Sequence, residues 1–115
     1  MKITAIGTTA YKTKMLAWKR LREADGDTVS IPAFDDKPTL DDIGVCEYNR
    51  KLIEDADEVH LFWDQRSTGT IFDFGMCFAL RKPVRIIYME TKTFKGVMEK
   101  YATTTGGINH ATTRP

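Results

Sequence analysis

The chain has 115 residues, of which 42% are hydrophobic and 29% are charged, as in an ordinary globular protein with one domain. Its formal net charge of +1 excludes the strong basic charge that nucleic-acid and membrane-surface binding require. No apolar stretch approaches the roughly 20 residues that span a bilayer, and the alternating N-terminus is too short for a signal peptide, so we expect a cytoplasmic protein.

The predicted elements alternate between strands and helices. Thr39 and Asp42 have the spacing of a capping box, and we place Thr39 at the start of the second helix. Residues 1–102 form the predicted domain, and the Thr- and Gly-rich residues 103–115 are predicted to be a flexible C-terminal tail. We predict strands at 2–7, 28–31, 58–64 and 84–89, and helices at 11–24, 39–56, 70–81 and 94–102.

The strands at 59–63 and 86–89 are almost continuously apolar, which indicates a parallel sheet that is covered on both faces. We therefore predict a three-layer α/β fold with four or five parallel strands between helices. Ligands of such sheets bind beyond the carboxyl ends of the strands. Gly7 and Thr8 follow the first strand and are candidate ligand-binding residues.

Asp73 is the only charged residue between Ile71 and Leu80. A helix that is apolar nearly all round is predicted to be buried on most sides. A carboxylate there needs donors or a ligand, because burying it bare costs roughly 2–7 kcal/mol. Two interpretations stay open: Asp73 completes a capping box with Thr70, or it faces the cleft at the strand ends.

Asn49 lies near the middle of the apolar arc of its helix. A side-chain amide at such a position needs several hydrogen-bond partners. It is either a core residue bonded to the backbone or a residue that projects toward a ligand.

The loop residues Ser67, Gly69 and Thr70 lie between a strand and a helix. Free N–H groups at a helix N-terminus, together with hydroxyl groups, bind anions such as phosphate. The same residue types also form ordinary caps and turns, so both interpretations are kept.

Cys46 and Cys77 have no metal-ligand or CxxC spacing and are expected to be buried structural thiols. Neither they nor the two histidines form a zinc pattern, so no metal site is predicted. Three aromatic residues are candidates to stack on a base, although each also fits a core position: Phe34, Trp63 and Tyr88.

Four segments between residues 2 and 89 together resemble the nucleoside 2-deoxyribosyltransferase-like family. The resemblance implies a flavodoxin-like fold and cleavage or transfer of the N-glycosidic bond of a 2′-deoxynucleoside or a nucleoside 5′-monophosphate, with no cofactor. Asp73 stands where the family has a nucleophilic Glu, and Ser67 resembles the phosphate-binding Ser of the nucleotide branch. The segments are Asn49-Arg50-Lys51-Leu52-Ile53, Ala56-Asp57-Glu58-Val59, Ser67-x-Gly69-x-x-x-Asp73-x-Gly75 and Ala79-Leu80-x-Lys82-Pro83-Val84.

The chain departs from the family pattern at three positions. Asp73 is one methylene shorter than Glu, and Asn49 replaces a second acidic residue, although an amide cannot shuttle a proton. A Tyr of the first strand is replaced within Thr4-Ala5-Ile6. Asp64, at the end of the third strand, is a candidate for the missing carboxylate.

Two functions follow as hypotheses. The first is a deoxyribosyltransferase or nucleotide N-glycosidase with Asp73, Asn49 and Asp64 as catalytic residues. The second is a protein on the same fold that binds or sequesters a nucleotide without catalysis. A purely structural role for the polar residues is less favoured. By analogy with the family we expect a homo-oligomer that binds a small nucleoside or nucleotide, and neither nucleic acid nor membrane. The candidate ligand-binding residues are Gly7, Thr8, Ser67, Gly69 and Thr70.

Overall fold

The computed structural model describes residues 1–34, 39–91 and 94–104. Strands and helices alternate as predicted, and the bounds of β4 are those expected from the sequence. A short 3-10 turn, Thr9–Tyr11, precedes the first helix. The elements are β1 (Lys2–Ile6), α1 (Lys12–Ala24), β2 (Thr28–Ser30), α2 (Asp42–Asp55), β3 (Glu58–Trp63), α3 (Thr68–Ala79), β4 (Val84–Met89) and α4 (Phe94–Thr104).

The four strands form one parallel sheet in the order β2-β1-β3-β4. This confirms the predicted three-layer α/β fold. The chain leaves β1 toward β2 on one side and then crosses to β3 on the other side. The order of the strands therefore reverses between β1 and β3, which is where open sheets of this kind bind ligands.

Two apolar cores lie on opposite faces of the sheet. The first contains Tyr11 and Met15 near the start of α1, packed against the sheet. The second contains Ile53 of α2 and Cys77 of α3. Met15, Ile53 and Cys77 are almost completely buried, and a fully buried apolar side chain of this size contributes roughly 1.5–3 kcal/mol. The helices thus hold the sheet from both faces and fix the positions of its strand ends.

Two residues of the four segments that resemble the family form hydrogen bonds between secondary-structure elements. Lys82 donates from Nζ to the carbonyl oxygens of Glu54 (2.8 Å) and Ala56 (2.7 Å), at the end of α2. Asp57 accepts a hydrogen bond from the N–H of Lys2 through Oδ2 (2.7 Å). In this structure Asp57 and Lys82 therefore support the fold, because their bonds join α2, β1 and the segment before β4.

Some predicted helix ends differ from the structure. α2 begins after Asp41, whose Oδ1 accepts from the N–H of Gly44 (2.6 Å), so the predicted cap at Thr39 is wrong. Asp41 lies two residues further along and faces the free N–H groups of the first turn. α4 continues to Thr104, two residues past its predicted end. The rest of the predicted tail, residues 105–115, lies outside the described residues.

The prediction that α3 is buried on most sides is wrong. Only Thr70, Asp73 and Cys77 of this helix are buried. Met76 is partly buried, whereas the other large apolar side chains are substantially exposed, with Phe78 at 80%. The reason is that no other element in the described part of the chain covers the outer side of α3. Within the same ranges, no helix has the length and apolar character needed to cross a membrane.

Candidate functional site

A cavity of about 330 Å³ lies beyond the carboxyl end of β1, at the point where the strand order reverses. Four separate segments surround it: the turn after β1, the segment after β2, one side of α2, and the N-terminal half of α3. Its lining residues are Gly7, Thr8, Thr9, Pro32, Ala33, Phe34, Val45, Cys46, Asn49, Ser67, Gly69, Thr70, Phe72 and Asp73.

Gly7 and Thr8 form the floor at the end of β1. A Cβ on Gly7 would lie 2.7 Å from the carbonyl oxygen of Phe62 and 2.5 Å from Cε of Met15. Only glycine therefore fits where the chain passes so close to β3. Thr8 caps the following 3-10 turn, since its Oγ1 accepts from the N–H of Ala10 (2.9 Å).

Ser67 is the N-cap of α3. Its Oγ accepts from the N–H of Thr70 (3.3 Å) and from the hydroxyl of Thr70 (3.1 Å). Of the two interpretations of Asp73, the capping box with Thr70 does not hold, because the helix starts two residues earlier and places Asp73 beyond its first turn. Thr68 and Gly69 occupy that first turn, whose N–H groups have no acceptor within the helix.

Asp73 projects toward the cavity from the buried side of α3. Its exposure is 8%, and among the residues that the structure describes it has no hydrogen bond and no ion pair. Burial raises the pKa of the Asp73 carboxyl to about 6. One turn further along, burial and then the negative charge of Asp73 raise the pKa of the Cys77 thiol to about 11. A buried carboxyl group without protein partners, beside a cavity, is typical of a functional site.

Asn49 both bonds to the backbone and lines the cavity. Its Oδ1 accepts from the N–H of Ala33 (2.7 Å), which joins α2 to the segment after β2. This bond fixes the orientation of the amide, because a backbone N–H requires the oxygen as its acceptor. The two N–H donors of Nδ2 remain for a ligand, since no partner for them is found in the described ranges.

Asp64 is the predicted site residue that the structure places outside this lining. Its Oδ1 accepts from the N–H groups of Ser67 (2.8 Å) and Arg66 (3.1 Å). It borders a different cavity, of about 500 Å³, with Arg66 and Glu90 among the other lining residues. The Asp64 carboxylate therefore shapes the loop that positions Ser67.

The three aromatic candidates also divide into one that lines the cavity and two that lie elsewhere. Phe34 lines the cavity beside Asp73, whereas Trp63 borders a groove on the other side of α3. Tyr88 packs edge-on against Tyr11, with ring centroids 5.1 Å apart. Of the three predicted stacking residues, the structure brings only Phe34 to the site.

Six lining residues were not predicted as site residues: Thr9, Pro32, Ala33, Val45, Cys46 and Phe72. Cys46 is half-buried and lines the cavity, so the expected buried structural thiol is found at Cys77 alone. Its position three residues before Asn49 places both on the same side of α2 and is the available signal. Phe72 carries no such signal, because it stands in a run of apolar residues next to Asp73.

The chemistry of the lining is that of a neutral to acidic site. Neither Lys nor Arg occurs among the described lining residues. Likewise, no group of three or more His, Cys, Asp or Glu able to hold a metal ion occurs in residues 1–34, 39–91 and 94–104. A bound anion would therefore rely on the N-terminus of α3 and on the hydroxyl groups.

A solved structure described as a 2-deoxyribosyltransferase from Leishmania mexicana is similar to this chain in fold. The TM-score is 0.64 and the sequence identity is 19%, over 88% of this chain and 71% of that chain. No protein-family profile matches the chain, and no curated protein matches it. At this identity the likeness shows the fold, which is the flavodoxin-like parallel α/β arrangement of that deoxyribosyltransferase structure.

Proposed function

We propose that the chain cleaves or transfers the N-glycosidic bond of a 2′-deoxynucleoside or a nucleoside 5′-monophosphate, with Asp73 as nucleophile. The observation that carries the proposal is the buried, unpartnered carboxyl group of Asp73 beside a cavity of about 330 Å³. The fold shared with a structure described as a deoxyribosyltransferase supports it.

In the proposed reaction a carboxylate oxygen of Asp73 attacks the anomeric carbon. The C–N bond breaks, its electron pair leaves with the base, and the base takes up a proton from water. Water or a second base then attacks the same carbon and gives up a proton to the solvent. The bond from that carbon to the Asp73 oxygen breaks, which releases the carboxylate and restores the original stereochemistry. With a pKa of about 6, most Asp73 carboxyl groups are ionised at neutral pH and available for attack.

The other lining residues have binding roles in this proposal. The Nδ2 donors of Asn49 hold a sugar hydroxyl, since its oxygen is already bonded to Ala33. Phe34 and Phe72 line the cavity and flank the base. A 5′-phosphate or 5′-hydroxyl binds at the start of α3, near Ser67 and its neighbours Gly69 and Thr70.

Asp64 has a positioning role in this proposal. The carboxylate that accepts from the N–H groups of Arg66 and Ser67 holds the cap of α3 in place. By analogy with the family that the sequence resembles, we also propose a homo-oligomer that needs neither a metal nor an organic cofactor.

A second candidate function is nucleotide binding without catalysis. One observation favours it: Asp73 is the only Asp, Glu or His in the described lining, so the cavity offers no second carboxyl group and no imidazole to donate or accept a proton. General acid–base catalysis contributes roughly 10²–10⁴-fold in rate, and its absence would leave a slow enzyme or a binder.

A panel of nucleosides and nucleotides tests the proposal. The protein is incubated with each 2′-deoxynucleoside and nucleoside 5′-monophosphate, alone and with a second free base, and the products are followed by chromatography. We expect release or exchange of the nucleobase by the native chain, and a loss of at least about 10²-fold in Asp73→Asn, since a neutral amide cannot replace the carboxylate nucleophile.

The matched control is Asp55→Asn, an exposed aspartate at the end of α2. This variant should release base at the native rate. Ligand-induced thermal stabilisation without turnover of any compound would contradict catalysis and favour the binding function.

A further inference from the structure

The two thiols of the chain lie in opposite environments. Cys77 of α3 is completely buried, and the pKa of its thiol is raised to about 11 by that burial and by the negative charge of Asp73. Cys46 of α2 is half-buried and lines the cavity of the candidate site. A cysteine reacts as its thiolate and must be accessible to the reagent. Cys46 is accessible through the cavity, whereas Cys77 is neither accessible nor readily ionised.

The cavity around Cys46 has room for a group attached to its sulfur. An apolar cavity of about 150 Å³ already holds benzene, and this cavity measures about 330 Å³. Cys46 stands three residues before Asn49, so their Cβ atoms are about 5–6 Å apart on the same side of α2. A small group on the Cys46 sulfur would therefore lie beside the Asn49 amide, which has two N–H donors for it.

Asp73 is a second and independent indication that this cavity takes a ligand. Its side chain is 8% exposed, lines the same cavity and has no hydrogen bond or ion pair in the described ranges. The described lining contains neither Lys nor Arg to balance the Asp73 carboxylate. The local potential is therefore negative near neutral pH, which favours neutral and cationic groups over anions.

We propose that Cys46 is a thiol-modification site inside this cavity and reacts with small disulfides that are neutral or positively charged. The Cys46 thiol loses its proton to solvent, and the thiolate sulfur attacks one sulfur of the reagent. A new S–S bond forms and the S–S bond of the reagent breaks. The other half of the reagent leaves as a thiolate and takes up a proton, so Cys46 is oxidised and the reagent is reduced.

The attached half of the reagent occupies the space between Asn49 and Asp73 and excludes any other ligand from it. A reducing thiol removes the group by the same exchange and reopens the cavity. The modification thus acts as a reversible switch on the candidate site. It goes beyond the proposed function, and its test needs no turnover.

The first experiment treats the folded protein with hydroxyethyl disulfide near neutral pH and maps the adducts by mass spectrometry of peptides. We expect one adduct per chain, on Cys46, which dithiothreitol removes. Cys77 is the matched control in the same chain and should react only when urea unfolds the protein. An unreacted Cys46 in the folded protein, or equal labelling of the two cysteines, would overturn the proposal.

The second experiment tests whether Cys46 reacts beside Asp73. Rates are measured with cystamine, which is cationic, and with dithiodiglycolate, which is anionic. The ratio of the first rate to the second should be at least about 3-fold higher in the native chain than in Asp73→Asn, because a nearby carboxylate attracts one reagent and repels the other. Asp73→Asn keeps the side-chain size, and the comparison cancels the intrinsic reactivity of each reagent. Equal ratios in the two proteins would overturn the location.

The third experiment locates the attached group. Because burial raises the pKa of Asp73 to about 6, the stability should decline between about pH 4 and pH 6. The cysteamine adduct brings an ammonium group to the Asp73 carboxylate, so its stability to urea should decline less than that of the neutral hydroxyethyl adduct. The same decline in both adducts would overturn the placement beside Asp73. Failure of the base-release panel would instead count against the proposed function and leave these three results valid.

Discussion

Burial of the Asp73 carboxyl group lowers the free energy of unfolding, and the same group lines the cavity of the candidate site. Its carboxyl group lies on the buried side of α3, yet it has no hydrogen-bond donor in the described part of the chain. Buried polar groups in folded proteins almost always have partners, and exceptions concentrate at functional sites. The raised pKa of Asp73 follows from that burial. A ligand in the adjacent cavity would supply the missing interaction.

The free-energy cost of burying the ionised Asp73 carboxylate should appear in the pH dependence of the stability. Between about pH 4 and pH 6 the folded chain retains the Asp73 proton that the unfolded chain has already released. The free energy of unfolding should therefore fall as the pH rises through this range, by about 2–3 kcal/mol. Asp73→Asn has no such group and should lack this part of the decline. Urea unfolding at several pH values measures the difference, and parallel profiles for the two proteins would contradict it.

The α/β order could be predicted because β3 and β4 have near-continuous apolar runs and the segments between the strands have apolar residues at helical spacing. The ends of a helix were harder to predict where several possible capping residues follow one another in the sequence. Ser67, Thr68 and Thr70 can all cap a helix by residue type, and only the structure shows that Ser67 does so. The exposure of α3 could not be predicted either, because an apolar sequence does not tell whether another element of the same chain covers it.

Lys82, a residue of the family-like segments, stabilises the packing of one secondary-structure element on another. Its ammonium group binds two carbonyl oxygens at the end of α2, where the helix also concentrates negative charge. Lys82→Met should lower the free energy of unfolding by about 1–3 kcal/mol, since hydrogen bonds to a charged donor are lost. Lys51→Met, at an exposed position of α2, should have little effect. A native stability for Lys82→Met in urea would contradict the assignment, and its base release per folded molecule should be unchanged.

At the scale of the whole molecule, the parallel topology assembles the site. It brings together the turn at 7–9, the segment at 32–34, α2 and the start of α3. The sequence predicted a site at the strand ends, but not which aromatic residue reaches it. Between Leu61 and Phe62 the β3–β4 register shifts, so Tyr88 instead of Ile87 lies opposite Phe62. Such a local irregularity leaves no clear sequence signal, and it affects which side chains each face of the sheet presents.

The proposed function requires that Asp73 forms a covalent bond to the sugar during turnover. The most direct measurement is mass spectrometry of the protein quenched in acid during reaction with a compound whose base it releases. We predict a glycosyl adduct on the peptide that contains Asp73, and no adduct in Asp73→Asn. Base release by the native chain with no adduct, or with an adduct on another residue, would contradict the account.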